Sequence, residues 1–487
     1  MKVNGYDTKP YMSIPEGGGT SITPKDSQCS VSSLTFEVVN VNYEISKWLY
    51  ERMNSANSMT YGEMVDVFAL CGDGSMKLIY RGLIRGISND EFETIYTFEI
   101  ADFQDRLKAS IFDRELSEYS TETIEDINKY RLPFFVENEV RKGFTIKEVD
   151  EGETDDDGQS ILTKVITFEG HVIDFVEMIF KIVFSTPELE VQMPYLTNKY
   201  QDFVDMNSLK AIKNILNRAT YNFYLEFREP VDDPYEFLIE NIYKPCAIFP
   251  LINLNGKLGL KLHKQPSIGT DGITISEDNI LSVDEKRITD ENIINNMVIK
   301  YDHDFKEDKE RTKRYFNSVA SFNKLRMLIP NNPEEVVIKG INKLSDTDKA
   351  TFSANLADSM FSRYGYPTIE ITITTPLEVA IDYKVGDYLF INHKSIVAWE
   401  GETQGTAGIK TDKDETQEDD GIAHLNSRHD WGGFITDNTL GKAVDGTWII
   451  ETRDKEIKHE IFNGSEYYKS CVSNHAYIEK WLKEEGV

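Results

Sequence analysis

The chain has 487 residues and a mass of 55.9 kDa, room for about three domains of ~150 residues each. Its 83 acidic against 53 basic residues leave a net charge of −30, a field that repels phosphate backbones and anionic membranes, so no sequence-specific nucleic-acid binding is expected. A hydrophobic content of 40% excludes a disordered chain, and 30 Gly with 15 Pro exclude a collagen-like one.

Residues 1–28, with Pro15 and the run Gly17-Gly18-Gly19, read as an extended arm that is either mobile or laid on a neighbouring subunit. Met1 to Asp7 holds no apolar run of signal-peptide length, which points to a soluble protein made in a cytoplasm. Ser33 to Asn40 alternates apolar and polar residues as a half-buried strand does. Asn42 to Met53 then spaces Ile45, Trp48, Leu49 and Met53 as a helix. Met64 to Leu70, Met76 to Ile84 and Thr94 to Ile100 are strands, with Gly72, Gly74, Gly82 and Gly86 as turns or bulges.

A helix is predicted over Ser120 to Tyr130, and an acidic surface loop over Glu148 to Gly158. His171 to Phe184 recurs apolar at i, i+3, i+4 and i+7, a strong helix pattern. Its greasiest part, Val176 to Phe184, is interrupted by Lys181 and is too short to span ~30 Å of hydrocarbon. Asn207 to Leu216 forms another helix, and Asp233-Pro234 opens a third that stops at Pro245. Asn255-Gly256, inside Ile248 to Leu262, is the clearest hairpin signal in the chain.

Asn295 to Asp302 is a strand, and Asp304 to Arg314 reads as a charged helix or loop. Residues 351–363 are helical, Pro367 to Thr375 and Val385 to Ile391 are strands, and Glu400 to Gly421 is a long polar loop. Thr447 to Thr452 is a strand and Ala476 to Leu482 a short helix. Strands, then helices, then strands indicate an α+β class rather than alternating βαβ units, and no repeat of solenoid period is present.

Chemistry-bearing spacings are absent: there is no G-x-S-x-G elbow, no phosphate loop ending in Gly-Lys-Ser/Thr, no H-E-x-x-H and no G-x-G-x-x-G opening a helix. Gly17 to Ser21 lacks the lysine of a phosphate loop. The acidic loop lacks the ligand order of an EF-hand. His424 and His429 near Asp430 and Trp431 read as a polar loop, with a metal or catalytic site the sharper alternative, and Tyr301-Asp302-His303-Asp304 as a strand running into a solvated turn, with cation binding the sharper alternative. Cys29, Cys71, Cys246 and Cys471 are scattered, outside CxxC spacing, and read as isolated reduced thiols. No catalytic, cofactor or metal residue is therefore expected, and no enzyme.

The order of segments resembles the hub proteins of phage tail baseplates and tail tips. The resemblance rests on Ser33 to Asn40 with its following helix, Tyr80-Arg81-Gly82-Leu83-Ile84, and Asn255-Gly256-Lys257-Leu258. It continues through Ile280 to Tyr301, Tyr364 to Thr375 and Val385-Gly386-Asp387-Tyr388, and so covers most of residues 30–390 in order. Residues 111–160 and 400–446 have no recognised counterpart, and the clustered cysteines of some iron–sulfur tail-tip relatives are missing.

The resemblance implies barrel-like tail-tube-type β domains combined with smaller mixed α/β domains, discontinuous along the chain. It implies a homotrimeric ring that joins the tail tube protein to the central spike protein, contacts other baseplate proteins, and lets DNA or ejected protein pass. The location would be the virion, at the tail baseplate or tip. The expected divisions are the arm 1–28, a first tube-like β domain 29–115, a mixed α/β region 116–270, a second β-rich region 271–399, and an extension 400–487. A glycan- or receptor-binding baseplate module, and a carboxylate-dependent glycan hydrolase, are the alternative functions. In a ring, part of the −30 charge of each copy is expected to line the central passage.

Overall fold

The computed structural model describes residues 2–3, 6–7, 16–17, 20–53, 64–70, 75–120, 130–132, 134–137, 140–154, 160–184, 200–262, 273–289, 293–325, 333–365, 368–376, 379, 385–392, 430–440 and 445–453. Outside them lie the Gly72–Gly74 turn, most of the helix expected at Ser120–Tyr130, the loop Glu400–Gly421, the pair His424/His429, Cys71, Cys471 and the helix expected at Ala476–Leu482.

A seven-stranded sheet opens the fold. Its long members are β1 (Ser33–Val39), β2 (Met64–Leu70), β3 (Met76–Asn89) and β4 (Ile95–Ala101), in the order β2-β3-β4-β1. The alternation read from the sequence decides which face is buried: Leu34, Phe36 and Val38 point inward while Thr35, Glu37 and Val39 stay exposed. α1 (Glu44–Met53) covers that inner face, with Ile45 fully buried and Trp48 and Leu49 packed on the same cluster. Gly86 marks a register shift between β3 and β4. Gly82 is needed for a different reason: a Cβ there would sit 2.7 Å from Ile100 Cγ2 and still closer to the Ala101 carbonyl.

The second and larger core belongs to the middle of the chain. β5 (Phe134–Glu137), β6 (Val140–Thr154), β7 (Ser160–His171) and β8 (Asn222–Phe227) form an antiparallel sheet in that order. Glu148 to Thr154 is thus the end of a long hairpin strand rather than a loop. Glu148, Val149 and Asp150 pair across to Lys164, Thr163 and Leu162, while Asp155–Gly158 of the expected loop lies outside the described residues. α2 (Val172–Phe184) follows directly and buries nine residues, Phe175, Phe180 and Phe184 among them. Val, Ile and Phe are mediocre helix formers, so packing, at about 1.5–3 kcal/mol per buried side chain, stabilises this helix more than propensity does.

α3 (Met206–Ile215) is capped by Asp205, whose carboxylate accepts from Asn207 N and Ser208 N. α4 (Pro234–Leu238) starts at the Asp233 cap with proline in its first turn, as the sequence indicates. The helical path runs on through Pro245 to Cys246, and Ala247 ends it at φ +52°. β9 (Ile248–Ile252) and β10 (Leu258–Leu262) form the expected hairpin, with Gly256 at φ +68° in its turn.

β11 (Ile273–Ser276) and β12 (Ser282–Thr289) belong to a further sheet, described below. β13 (Asn296–Asp304) pairs antiparallel with β14 (Lys309–Asn317), so the segment read as a charged helix or loop is a strand from Lys309 onward. Glu310, Thr312 and Phe316 are half-buried between exposed neighbours, a period of two that the high charge density masks. After α5 (Val319–Leu325), β15 (Glu334–Val337) joins β13 in parallel. α6 (Asp346–Tyr364) carries a Ser345 cap and sends Phe352, Leu356 and Met360 into the main core.

β16 (Thr368–Pro376), β17 (Tyr388–Asn392), β18 (Asp430–Leu440) and β19 (Asp445–Arg453) complete an eight-stranded sheet of order β11-β17-β18-β19-β16-β12. The class is α+β. Every sheet among the described residues has open ends, and none closes into the barrel implied by the family resemblance.

Part of the expected arm is fixed within its own chain. Lys2–Val3 pairs with β2, Glu16–Gly17 with β1, and Thr20–Thr23 with β18. Strand pairing satisfies its backbone groups, an option that a Gly- and Pro-rich composition conceals.

Candidate functional site

The Tyr301–Asp304 segment is the first sequence candidate. His303 is 4% exposed, with Nδ1 3.2 Å from Glu310 Oε1 and Nε2 3.3 Å from Asp308 Oδ1, and its ring meets Phe305 edge-on. Burial and nearby Lys339 hold the imidazole below its ordinary value despite those two carboxylates. The carboxylates themselves are matched by cations: Asp302 takes Lys349 at 2.6 Å, Asp304 takes Arg311 at 2.7 Å, and Asp308 takes Lys339 at 3.1 Å. Thr312 Oγ1 also donates to Asp302 at 2.6 Å. The cluster ties the β13–β14 hairpin to α6, and among the described residues no group of three or more His, Cys, Asp or Glu side chains is arranged so that it could hold a metal ion.

Gly17 and Thr20 to Thr23 are strand, and Ser21 N donates to Ser30 Oγ at 2.8 Å, an arrangement unlike a phosphate cradle. Asp430 and Trp431 begin β18. Cys29 and Cys246 are buried free thiols, both pushed well up by burial.

A buried polar junction escaped the sequence reading. Asp102 is 2% exposed and caps a short helical turn, Phe103–Lys108. Its carboxylate accepts from Ser32 N at 2.6 Å, Gln104 N at 2.8 Å and Ser32 Oγ at 3.1 Å. Burial raises its carboxyl to about 6, against the pull of those donors. Tyr80 OH donates to Ser32 O at 2.9 Å, and Tyr235 OH donates to Cys29 O, with Cys29 N returning a bond at 3.1 Å. The arm, the first sheet and α4 meet here. The partners lie 70 and 206 residues apart, so no spacing signal could have announced them.

A strained corner at the end of the first sheet offers the most exposed surface feature. Asn42 and Tyr43 are consecutive non-glycine residues at φ +54° and +59°, and Glu93 in the facing turn is at +53°. Asn40 fixes them: its Oδ1 accepts from Ile45 N at 2.9 Å, and its Nδ2 donates to Ser46 Oγ and Glu93 O at 2.7 Å each. Tyr43 at the corner is 60% exposed and Phe92 in the facing turn 73%; Tyr50 on α1 is 70% exposed and Val39 at the end of β1 48%.

No protein-family model and no curated protein matches the chain. Three solved structures align along nearly all of it. The tail protein from Neisseria meningitidis shares 9% identity at a TM-score of 0.42, covering 95% of this chain and 98% of its own. The 43 kDa tail protein of prophage MuSo2 from Shewanella oneidensis shares 9% at 0.40, covering 94% and 98%. The prophage tail protein gp18 from Listeria monocytogenes shares 8% at 0.30, covering 97% and 94%. All three are tail proteins. At these identities and scores the likeness fixes neither the fold nor a site.

Proposed function

We propose that the chain is a structural component of a phage tail or tail-like injection machine. Within it, the chain acts as a hub: three copies form a ring that joins the tail tube to the central spike and leaves a passage for genome or protein. The role is assembly rather than catalysis.

One observation carries the reading. The segments that resemble tail hubs occur in order along the sequence, and several of them form strands and a hairpin turn of this fold. Ser33 to Val39 forms β1, and Tyr80 to Ile84 lies in β3 of the same sheet. Asn255-Gly256 is the β9–β10 turn, Asn296 to Tyr301 lies in β13, and Thr368 to Thr375 lies in β16. The open sheets and the exposed aromatic corner supply surfaces that a ring-building subunit requires.

The test is mass measurement and electron microscopy of the purified full chain, alone and mixed with tail tube and central spike proteins. A trimeric ring that caps the tube is expected. A stable monomer that joins neither protein would end the proposal.

A further inference from the structure

β14 is the outer strand of its sheet, paired with β13 on one side only; its other edge carries no strand among the described residues. Roughly half of its backbone N–H and C=O groups therefore point outward, a template for another strand. Its inner face is anchored, with Phe316 on the main core and Glu310 against His303. Its outer face presents Lys309, Arg311, Lys313 and Tyr315 at alternate positions, all exposed, with Tyr315 at 71%. Arg311 is shared between Asp304 at 2.7 Å and Glu307 at 2.8 Å, while Lys309 and Lys313 form no ion pair among the described residues. Lys300, opposite Lys313 on β13, adds a cation already engaged by Glu335.

We infer that the free edge of β14 receives an extended acidic segment of another protein chain, with Asp or Glu at alternate positions, as an added strand. Lysines on an edge strand ordinarily deter pairing. Here they deter a second copy of β14, whose cations would face cations, and they select a strand of opposite sign. The row stands out in a chain of net charge −30. Nucleic acid fits poorly, because a few cations cannot offset that field and because a polypeptide backbone presents donors and acceptors at the repeat of a strand edge, which a phosphate backbone does not.

The experiment uses the full chain and three labelled nine-residue peptides of one pattern, carrying Glu, Gln or Lys at alternate positions. Fluorescence anisotropy at low salt reads binding, and hydrogen exchange reads protection of residues 309–317. The Glu peptide is expected to bind best and to slow exchange in β14. The double variant Lys309→Glu/Lys313→Glu, altered only at exposed positions, should bind it roughly tenfold more weakly and favour the Lys peptide. Equal binding of the three peptides, no binding, protection elsewhere, or an unchanged affinity in the variant would overturn the inference. So would lysine-dependent capture of a single-stranded oligonucleotide, or lysine-dependent self-association, without peptide binding.

Discussion

Replacing Asp102 by asparagine tests the buried junction quantitatively. The folded state raises this carboxyl from an ordinary 3.8 to about 6 because burial disfavours its charge. A group raised in this way binds its proton more tightly when folded. Its favourable contribution is complete below about 3.8 and is lost as pH rises to about 6. The span of about two units corresponds to about 3 kcal/mol, or ~1.4 kcal/mol per pH unit. The amide of D102N would be neutral at every pH, so the stability of the wild type minus that of D102N should fall by about that amount between about pH 3 and 7 and stay level on either side. Subtraction cancels the other titrating groups. Urea titrations followed by tryptophan fluorescence suit the measurement, since Trp48 packs on the core of the same sheet, 6.5 Å from Phe98. A difference that is flat across this window, or that rises with pH, would refute the assigned burial. Aspartate persists here despite its cost because Ser32 N and Gln104 N need an acceptor; D102A should cost about 1–3 kcal/mol for each donor left unpaired.

Gly82→Ala should destabilise the first sheet by about 1–3 kcal/mol, since β3 and β4 must separate to admit the methyl group; thermal unfolding measures it, and an unchanged midpoint would contradict the close approach. Native-state alkylation followed by peptide mass mapping should leave Cys29 and Cys246 unmodified until denaturant is added. If three copies assemble, each at −30, moderate salt should strengthen the assembly by screening their repulsion; light scattering across salt concentrations checks this, and dissociation by salt would point instead to a ring held by ion pairs.

Where burial follows a simple period, the elements were legible. β1, α1, α2, α3 and the Asn255-Gly256 hairpin follow from alternation, helical spacing and turn chemistry that read the same locally and in the fold. β14 was obscured because five of its nine residues are charged and its apolar anchor, Phe316, comes late. The end of β6 was obscured by its run of acidic residues, of which Glu148 and Asp150 are exposed. Ser32, Asp102 and Tyr235 are brought together by tertiary contacts, with no local pattern to betray them. The strain at Asn42 and Tyr43 was equally hidden, because Asn40 imposes it through side-chain bonds reaching to Glu93.

The pairing of Thr20–Thr23 with β18 joins Ser21 to Asp437. At about 5–20 residues per second, the ribosome needs from roughly twenty seconds to over a minute to make the intervening chain. The first sheet can form early from near neighbours, whereas the seam between Thr20–Thr23 and β18 must wait until β18 has been made. A nascent or truncated chain therefore carries an uncovered strand edge for most of its synthesis, the period of greatest exposure to wrong partners. The same seam has a long-range loop to close, so its joining is expected to be the slow phase of refolding.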